Sequence, residues 1–336
     1  MPNAFRRGAL AAPRWFARVL GARGFWCAWV GACALMGCRK QPLPGETLDF
    51  SSHAPREPST TDARSLSAGC GLSGKPTGEL HLRTQDGAGT TRDYEVLLPS
   101  SYDRTTPLAL TFVYHGGGGT PAESKAWGMQ NAAGAAAASI FVFPQGIAFQ
   151  SDGVGWDDRC SGNDMVFFDN MVASLASEYC IDLNRVYAGG FSWGCDQVVA
   201  LACCRGNKVR AIAAASCSDE FGDPSNYKTY QACPVASNAA IRFTHATLGD
   251  SGYAPPLFAT TLTLFRSWNA CSAMATPTSS SASASASASA SASASPCRSF
   301  TNCRVPVVDC PYDQLQHSIP TGWGEDSWKF FTELSH

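Results

Sequence analysis

Charge is scarce in this chain of 336 residues: Asp, Glu, Lys and Arg make up 15% of it, and the formal net charge is -2. A near-neutral chain has no basic surface with which to neutralise phosphates, and this sets DNA and RNA aside as partners. Long apolar runs are missing too. The stretch 25–37 falls short of the about 20 apolar residues that a bilayer-spanning helix needs. No C-x-x-C pair occurs and there are only six histidines, so a zinc site has no obvious ligand set and no metal is expected. The glycine run at 116–119 is not followed by G-K-[ST], which removes a P-loop nucleotide site. What is present, 45% hydrophobic residues, suits one large domain with a sizeable core.

Cysteine, by contrast, is abundant. Fifteen thiols would be a liability in a reducing cytosol, so their number points to an oxidising, extracytoplasmic compartment. The first 24 residues carry Arg6, Arg7, Arg14, Arg18 and Arg23 and no acid, and the apolar stretch 25–37 follows, the order of an export signal. Two processing sites compete. Leu35-Met36-Gly37-Cys38 has the form of a bacterial lipobox, with Cys38 as the lipidated residue, and Ala32-Cys33-Ala34 has the form of an ordinary cleavage site. The lipobox leaves an even number of cysteines to pair, whereas cleavage after Ala34 leaves an odd one. The expectation is therefore an export signal over 1–37, a disordered tether over 38–69 rich in Pro, Ser and Thr, and a folded domain over 70–336. Any contact with a membrane would run through the lipid alone.

Within the domain, apolar strand-like runs at 94–98, 108–114, 140–143, 185–188, 209–215 and 241–245 alternate with helix-like stretches at 123–138, 165–179, 193–204, 256–270 and 325–334. Several of the apolar runs are continuous, as strands covered on both faces must be. The pattern predicts a doubly wound, mostly parallel α/β sheet in a single catalytic domain, with its chemistry at the carboxyl ends of the strands. The Ser-Ala alternation within 277–296 offers only methyl groups to a core and reads as a solvated loop insertion.

Gly190-Phe191-Ser192-Trp193-Gly194 follows one of those strands and precedes a helix, the position of a nucleophile elbow. A serine hydroxyl needs a base to take its proton and a carboxylate to orient that base. On such a scaffold the triad runs Ser, acid, His along the chain. His53 falls in the tether, His81 in an early strand, His115 at the head of a glycine loop and His336 at the last position, which leaves His245 and His317. His317 follows every candidate acid and is the expected base; His245, within a strand, is expected to pack. Asp250, after the strand 241–245, ranks first as the acid, ahead of Asp219 and Asp313. His115-Gly116-Gly117-Gly118-Gly119 closes another strand, and the N–H groups of Gly117 and Trp193 are the expected oxyanion donors. Cys195 is expected to be bridged or buried.

Taken together, Arg92-Asp93-Tyr94 through Pro99-Ser100-Ser101-Tyr102, Tyr114-His115-Gly116-Gly117, Gly155-Trp156-Asp157, Cys180-Ile181-Asp182 and the segment Pro306 to Cys310 resemble carbohydrate esterase family 1, over about residue 79 to the end. That family includes feruloyl esterases, acetylxylan esterases and polyhydroxybutyrate depolymerase-like proteins of the α/β-hydrolase fold. The resemblance implies a Ser192, Asp250, His317 triad without a cofactor and a hydrolase acting on feruloyl or acetyl esters of plant polysaccharide; the chain is expected to be a monomer. Polyhydroxyalkanoate oligomers are the alternative substrate. A Ser peptidase, or a non-catalytic surface-binding lipoprotein on the same fold, would be the rival readings. Trp156 and Trp193 are the aromatic residues expected either to stack on an aromatic acid or a sugar, or to pack the core. The chain departs from the family at Cys195 and Asp196 after the elbow, and in the segment Gln314 to Pro320 around His317, which lacks the usual glycine.

Overall fold

In the computed structural model the described residues are 65–148, 153–217, 239–247, 259–272, 275–277, 297–312 and 317–334, all within the compact unit Ser51–His336. The Ser-Ala insertion, Cys38, Asp219, Asp250 and Asp313 lie outside them. No helix among the described residues is long and apolar enough to cross a membrane.

The strands are β1 (Gly78–Gln85), β2 (Thr91–Leu98), β3 (Leu108–Tyr114), β4 (Ser139–Pro144), β5 (Ile147–Ala148), β6 (Val154–Gly155), β7 (Ile181–Phe191), β8 (Ala211–Ala215), β9 (Ala240–Ala246), β10 (Ala275–Pro277), β11 (Arg298–Phe300) and β12 (Val307–Tyr312). The helices are α1 (Pro121–Ala126), α2 (Ala135–Ala138), α3 (Asn163–Glu178), α4 (Trp193–Cys204), α5 (Ala259–Trp268) and α6 (Trp323–Glu333). Among the described residues ten strands form one sheet in the order β1-β2-β4-β3-β7-β8-β9-β12-β11-β10. From β4 to β12 the neighbours run parallel, and both edges are antiparallel.

The parallel centre is where the continuous apolar runs fall. β3, β4, β8 and β9 are buried at every position, because α3, α4 and α5 cover one face and α2 and α6 the other. Each fully buried Phe there, such as Phe112 or Phe141, contributes about 1.5–3 kcal/mol of hydrophobic stabilisation. In α3 the buried Met165, Phe168, Met171 and Leu175 recur at helical spacing and form its core-facing stripe.

Three expectations need correction. The single helix over 123–138 is broken into α1, one 3-10 turn at Met129–Asn131 and α2, because Gly128 and Gly134 take φ of 75° and 76° and interrupt the helical path. The strands β1, β10, β11 and β12 had no counterpart in the apolar runs; β1 alternates between exposed and half-buried positions, and so carries too few apolar residues to stand out. Packing also begins before residue 70: Leu66 bridges to Asp182, and the Ser67 N–H donates to the Ile181 carbonyl at 2.9 Å.

Candidate active site

Ser192 joins β7 to α4 with φ 55° and ψ -125°, a backbone state that costs a non-glycine residue about 1–3 kcal/mol and persists only where its surroundings enforce it. The flanking glycines make the turn possible. A Cβ on Gly190 would stand 2.1 Å from the Gly194 carbonyl oxygen, and one on Gly194 would stand 2.2 Å from that of Tyr114. The Ser192 carbonyl accepts the N–H groups of Cys195 (2.8 Å) and Asp196 (3.1 Å), which starts α4, while the Ser192 N–H donates to Ala215 at 3.0 Å. Trp193 is the first residue of α4, so its N–H belongs to the positive end of the helix dipole.

The glycine loop lies beside the serine: a Cβ placed on Gly116 would be 3.3 Å from that of Ser192. Gly118, at φ 73°, donates its N–H to Val154 (2.7 Å), and Gly119 donates to Gly116 (3.0 Å) in a tight turn. The ring of Trp193 lies over Gly117 and Gly155; a Cβ on Gly155 would stand 2.2 Å from it. Trp193 is half-buried and so presents part of its surface beside the loop.

His115 braces this loop from below. Its Nδ1 is 2.7 Å from the Gly116 carbonyl oxygen, and its Nε2 accepts the Gly146 N–H at 2.9 Å. The carbonyl can only accept, so the proton sits on Nδ1 and the ring is neutral. Burial holds its pKa below the ordinary 6.5, against the opposing effect of the Gly116 bond. Trp156 has 0% exposure and donates Nε1–H to the His115 carbonyl at 2.9 Å, edge-on to Tyr114. The expectation of a substrate-stacking Trp156 is therefore corrected: no face of it reaches solvent, and it supports the loop instead.

A buried ion cluster supports the next layer. Arg92 meets Asp86 (3.3 Å) and Asp164 (2.9 Å), donates to the Gln145 carbonyl (3.0 Å), and lies 4.6 Å over the Phe167 ring. Burial raises the Asp164 pKa, and the Arg92 charge opposes it. The other Asp164 oxygen accepts the Asp157 N–H at 2.6 Å, so β2, the start of α3 and the segment after Trp156 share one cluster.

His317 is half-buried, its ring 4.6 Å from that of Phe191, the residue before the nucleophile. The structure thus brings Ser192, Gly117, Trp193 and His317 to one end of the sheet. Asp250 and its rivals Asp219 and Asp313 fall outside the described residues. His245 is committed elsewhere: its Nε2 is 2.7 Å from Asp309 Oδ1, and Asp309 Oδ2 accepts from Arg298 at 2.7 Å. Burial pushes the Asp309 pKa up, but the His245 and Arg298 contacts more than offset that and leave it lowered. Asp309 was missed at the sequence level, although an acid inside the apolar run Val307-Val308-Asp309-Cys310 signals a buried partner.

Every cysteine among the described residues is in a disulfide. The bridges with both partners described are Cys70–Cys180, Cys160–Cys204, Cys195–Cys217, Cys271–Cys303 and Cys297–Cys310. Cys160, Cys203 and Cys204 approach one another within 4.8 Å, but as disulfide sulfurs they offer no thiolate to a metal.

No protein-family model matches the chain. It is 32% identical over 165 residues to feruloyl esterase D of Neurospora crassa, covering 46% of this chain and 54% of that one. It is 31% identical over 132 residues to the probable feruloyl esterase C of Aspergillus niger, covering 37% and 46% respectively. The matched stretch spans about half the length of these curated relatives. Among solved structures, the acetyl xylan esterase of Aspergillus awamori superposes with a TM-score of 0.55 at 12% identity, over 76% of this chain and 99% of that one. The S-formylglutathione hydrolase of Agrobacterium tumefaciens superposes at 0.52 and 11% identity, over 78% and 98%. The strand order, the elbow and these likenesses agree: the chain is an α/β-hydrolase in fold and, over about half its length, similar in sequence to feruloyl esterases.

Proposed function

We propose that this chain is an exported serine esterase that hydrolyses feruloyl or acetyl esters of plant polysaccharide. The observation that carries the proposal is the strained turn at Ser192, with the glycine loop packed against it and a homologous stretch in feruloyl esterases. In this mechanism the Ser192 hydroxyl attacks the ester carbonyl and its proton passes to His317, which Asp250 orients. The N–H groups of Gly117 and Trp193 hold the oxyanion; the Gly117 N–H has no hydrogen-bond partner among the described residues, whereas those of Gly118 and Gly119 are taken. The bond to the alcohol then breaks as His317 returns the proton to the leaving oxygen. Water attacks the acyl-serine with the same base, and the acid departs. The exposed part of Trp193 beside Gly117 would face the acyl group, where an aromatic acid can stack on it.

The disulfides fit an oxidising compartment, and Cys38 is the position at which a lipid would hold the chain to a membrane. Hydrolysis of methyl ferulate, acetylated xylan and a hydroxybutyrate trimer, measured side by side, tests the substrate class. Feruloyl or acetyl ester turnover that is lost in Ser192→Ala, together with fluorophosphonate labelling of the wild type alone, is the expected result. Turnover of the trimer alone would move the substrate to polyesters, and no turnover or labelling of the wild type would remove the esterase reading.

A further inference from the structure

The strand end after β8 touches both catalytic loops. The Ala215 carbonyl accepts the nucleophile's own N–H at 3.0 Å, and the Cys195–Cys217 bridge closes the same junction two residues later. Between them Ser216, at φ 53°, is held in the left-handed region, with its N–H on the Thr244 carbonyl at 2.9 Å. The Ser216 hydroxyl lies 2.9 Å from that of Tyr312, the last residue of β12, and the Tyr312 hydroxyl lies 2.7 Å from the Ser318 carbonyl oxygen. Ser318 is the residue after His317. A carbonyl can only accept, so the single phenolic proton goes to Ser318 and Ser216 must donate to Tyr312; the chain has one direction. Both hydroxyl-bearing residues are buried, Ser216 with 4% and Tyr312 with 3% exposure, so water competes little for these bonds. The Tyr312 backbone is fixed as well, its carbonyl accepting the Thr247 N–H at 2.9 Å.

We infer that Ser216 and Tyr312 are positioning residues for His317: one dipeptide, Ala215-Ser216, sets the place of the nucleophile through a backbone bond and that of the base through the Ser216 to Tyr312 to Ser318 chain. The inference rests on Ser192 and His317 acting as nucleophile and base.

Kinetics of Tyr312→Phe, Ser216→Ala and Ser216→Gly on 4-nitrophenyl acetate, alone and on a His317→Ala background, with Ser192→Ala as control, test it. Loss of the anchor should lower kcat by about 10- to 100-fold with KM within about twofold, the scale of a 1 Å misplacement. Ser216→Gly, which suits the left-handed backbone and removes only the hydroxymethyl group, should lose activity as Ser216→Ala does, and on the His317→Ala background none of the three variants should lower the rate further. Wild-type kcat in folded Tyr312→Phe, or an undiminished effect on the His317→Ala background, overturns the inference while leaving the esterase reading intact. Should Tyr312→Phe not fold, the Ser216 pair decides: wild-type kcat in folded Ser216→Gly or Ser216→Ala overturns it. Full activity in Ser192→Ala would overturn the esterase reading, and the inference with it.

Discussion

At the scale of single residues, His115 does the work of two backbone anchors with one neutral ring, and this makes it sensitive to acid. Its Nε2 lone pair holds the Gly146 N–H, so a proton there breaks that contact. Burial keeps its folded-state pKa below the 6.5 of an unfolded chain, so between those two values the unfolded state binds the proton first. The stability it contributes is complete above 6.5 and is lost as pH falls through the lowered folded-state value. The amide of a glutamine can donate to Gly116 and accept from Gly146 without titrating. Thermal melts from about pH 7 to about pH 5 should therefore show a shallower fall for His115→Gln than for the wild type. Ser192 was legible in the sequence because a strained turn demands small neighbours at fixed offsets. Trp156 was not, because nothing in an aromatic residue beside Gly155 tells a stacking surface from a buried brace.

At the scale of elements, the sheet was legible where it is buried on both faces. The apolar runs of β3, β4, β8 and β9 are continuous for a physical reason, the helices above and below them. The half-exposed β1 and the polar-interrupted β12 escaped, since a strand with one wet face or a buried acid loses the apolar run that marks it. Arg92 was quoted only as part of a motif, and its role became visible only once β2 met α3. Replacing it by Met would leave Asp86 and Asp164 buried without their counter-charge, a cost of about 3–5 kcal/mol. Urea denaturation of Arg92→Met should show a lower midpoint and a loss of unfolding free energy of that size, and the activity of the remaining folded fraction should fall as the Gln145-Gly146 segment under the glycine loop loosens. At the elbow, Gly194→Ala would drive a methyl group to 2.2 Å from the Tyr114 carbonyl, and the variant is expected to be recovered without activity or not to fold. Circular dichroism and fluorophosphonate labelling together would separate those outcomes, and a folded, labelled variant would contradict the packing described for α4 against β3.

At the scale of the whole molecule, covalent links divide the work with the core. The Cys70–Cys180 bridge closes a loop of 110 residues around β1 to α3, so it restricts the unfolded chain strongly. The double variant Cys70→Ser, Cys180→Ser should lose about 2–5 kcal/mol of stability with little change in KM, as read from melts and steady-state kinetics. The Ser-Ala segment has the opposite character. Its flanks are already neighbours in the fold: Pro277 pairs with Arg298 across β10 and β11, and Cys297 is tied to Cys310. Replacing residues 279–295 by a short Gly-containing turn should leave the melting temperature and kcat within error of the wild type. A clear loss of either would mean that the segment packs on the domain.

The pairing of Pro277 with Arg298 has an evolutionary consequence as well. Once two strands fix the ends of a segment, doubling its length costs only about 0.6 kcal/mol. Selection on folding is then nearly blind to how many Ser-Ala units lie between them. A repetitive coding tract at such a place is free to expand and contract by replication slippage. Closely related strains should therefore carry versions of this gene that differ in tract length at this hairpin and agree on either side of it.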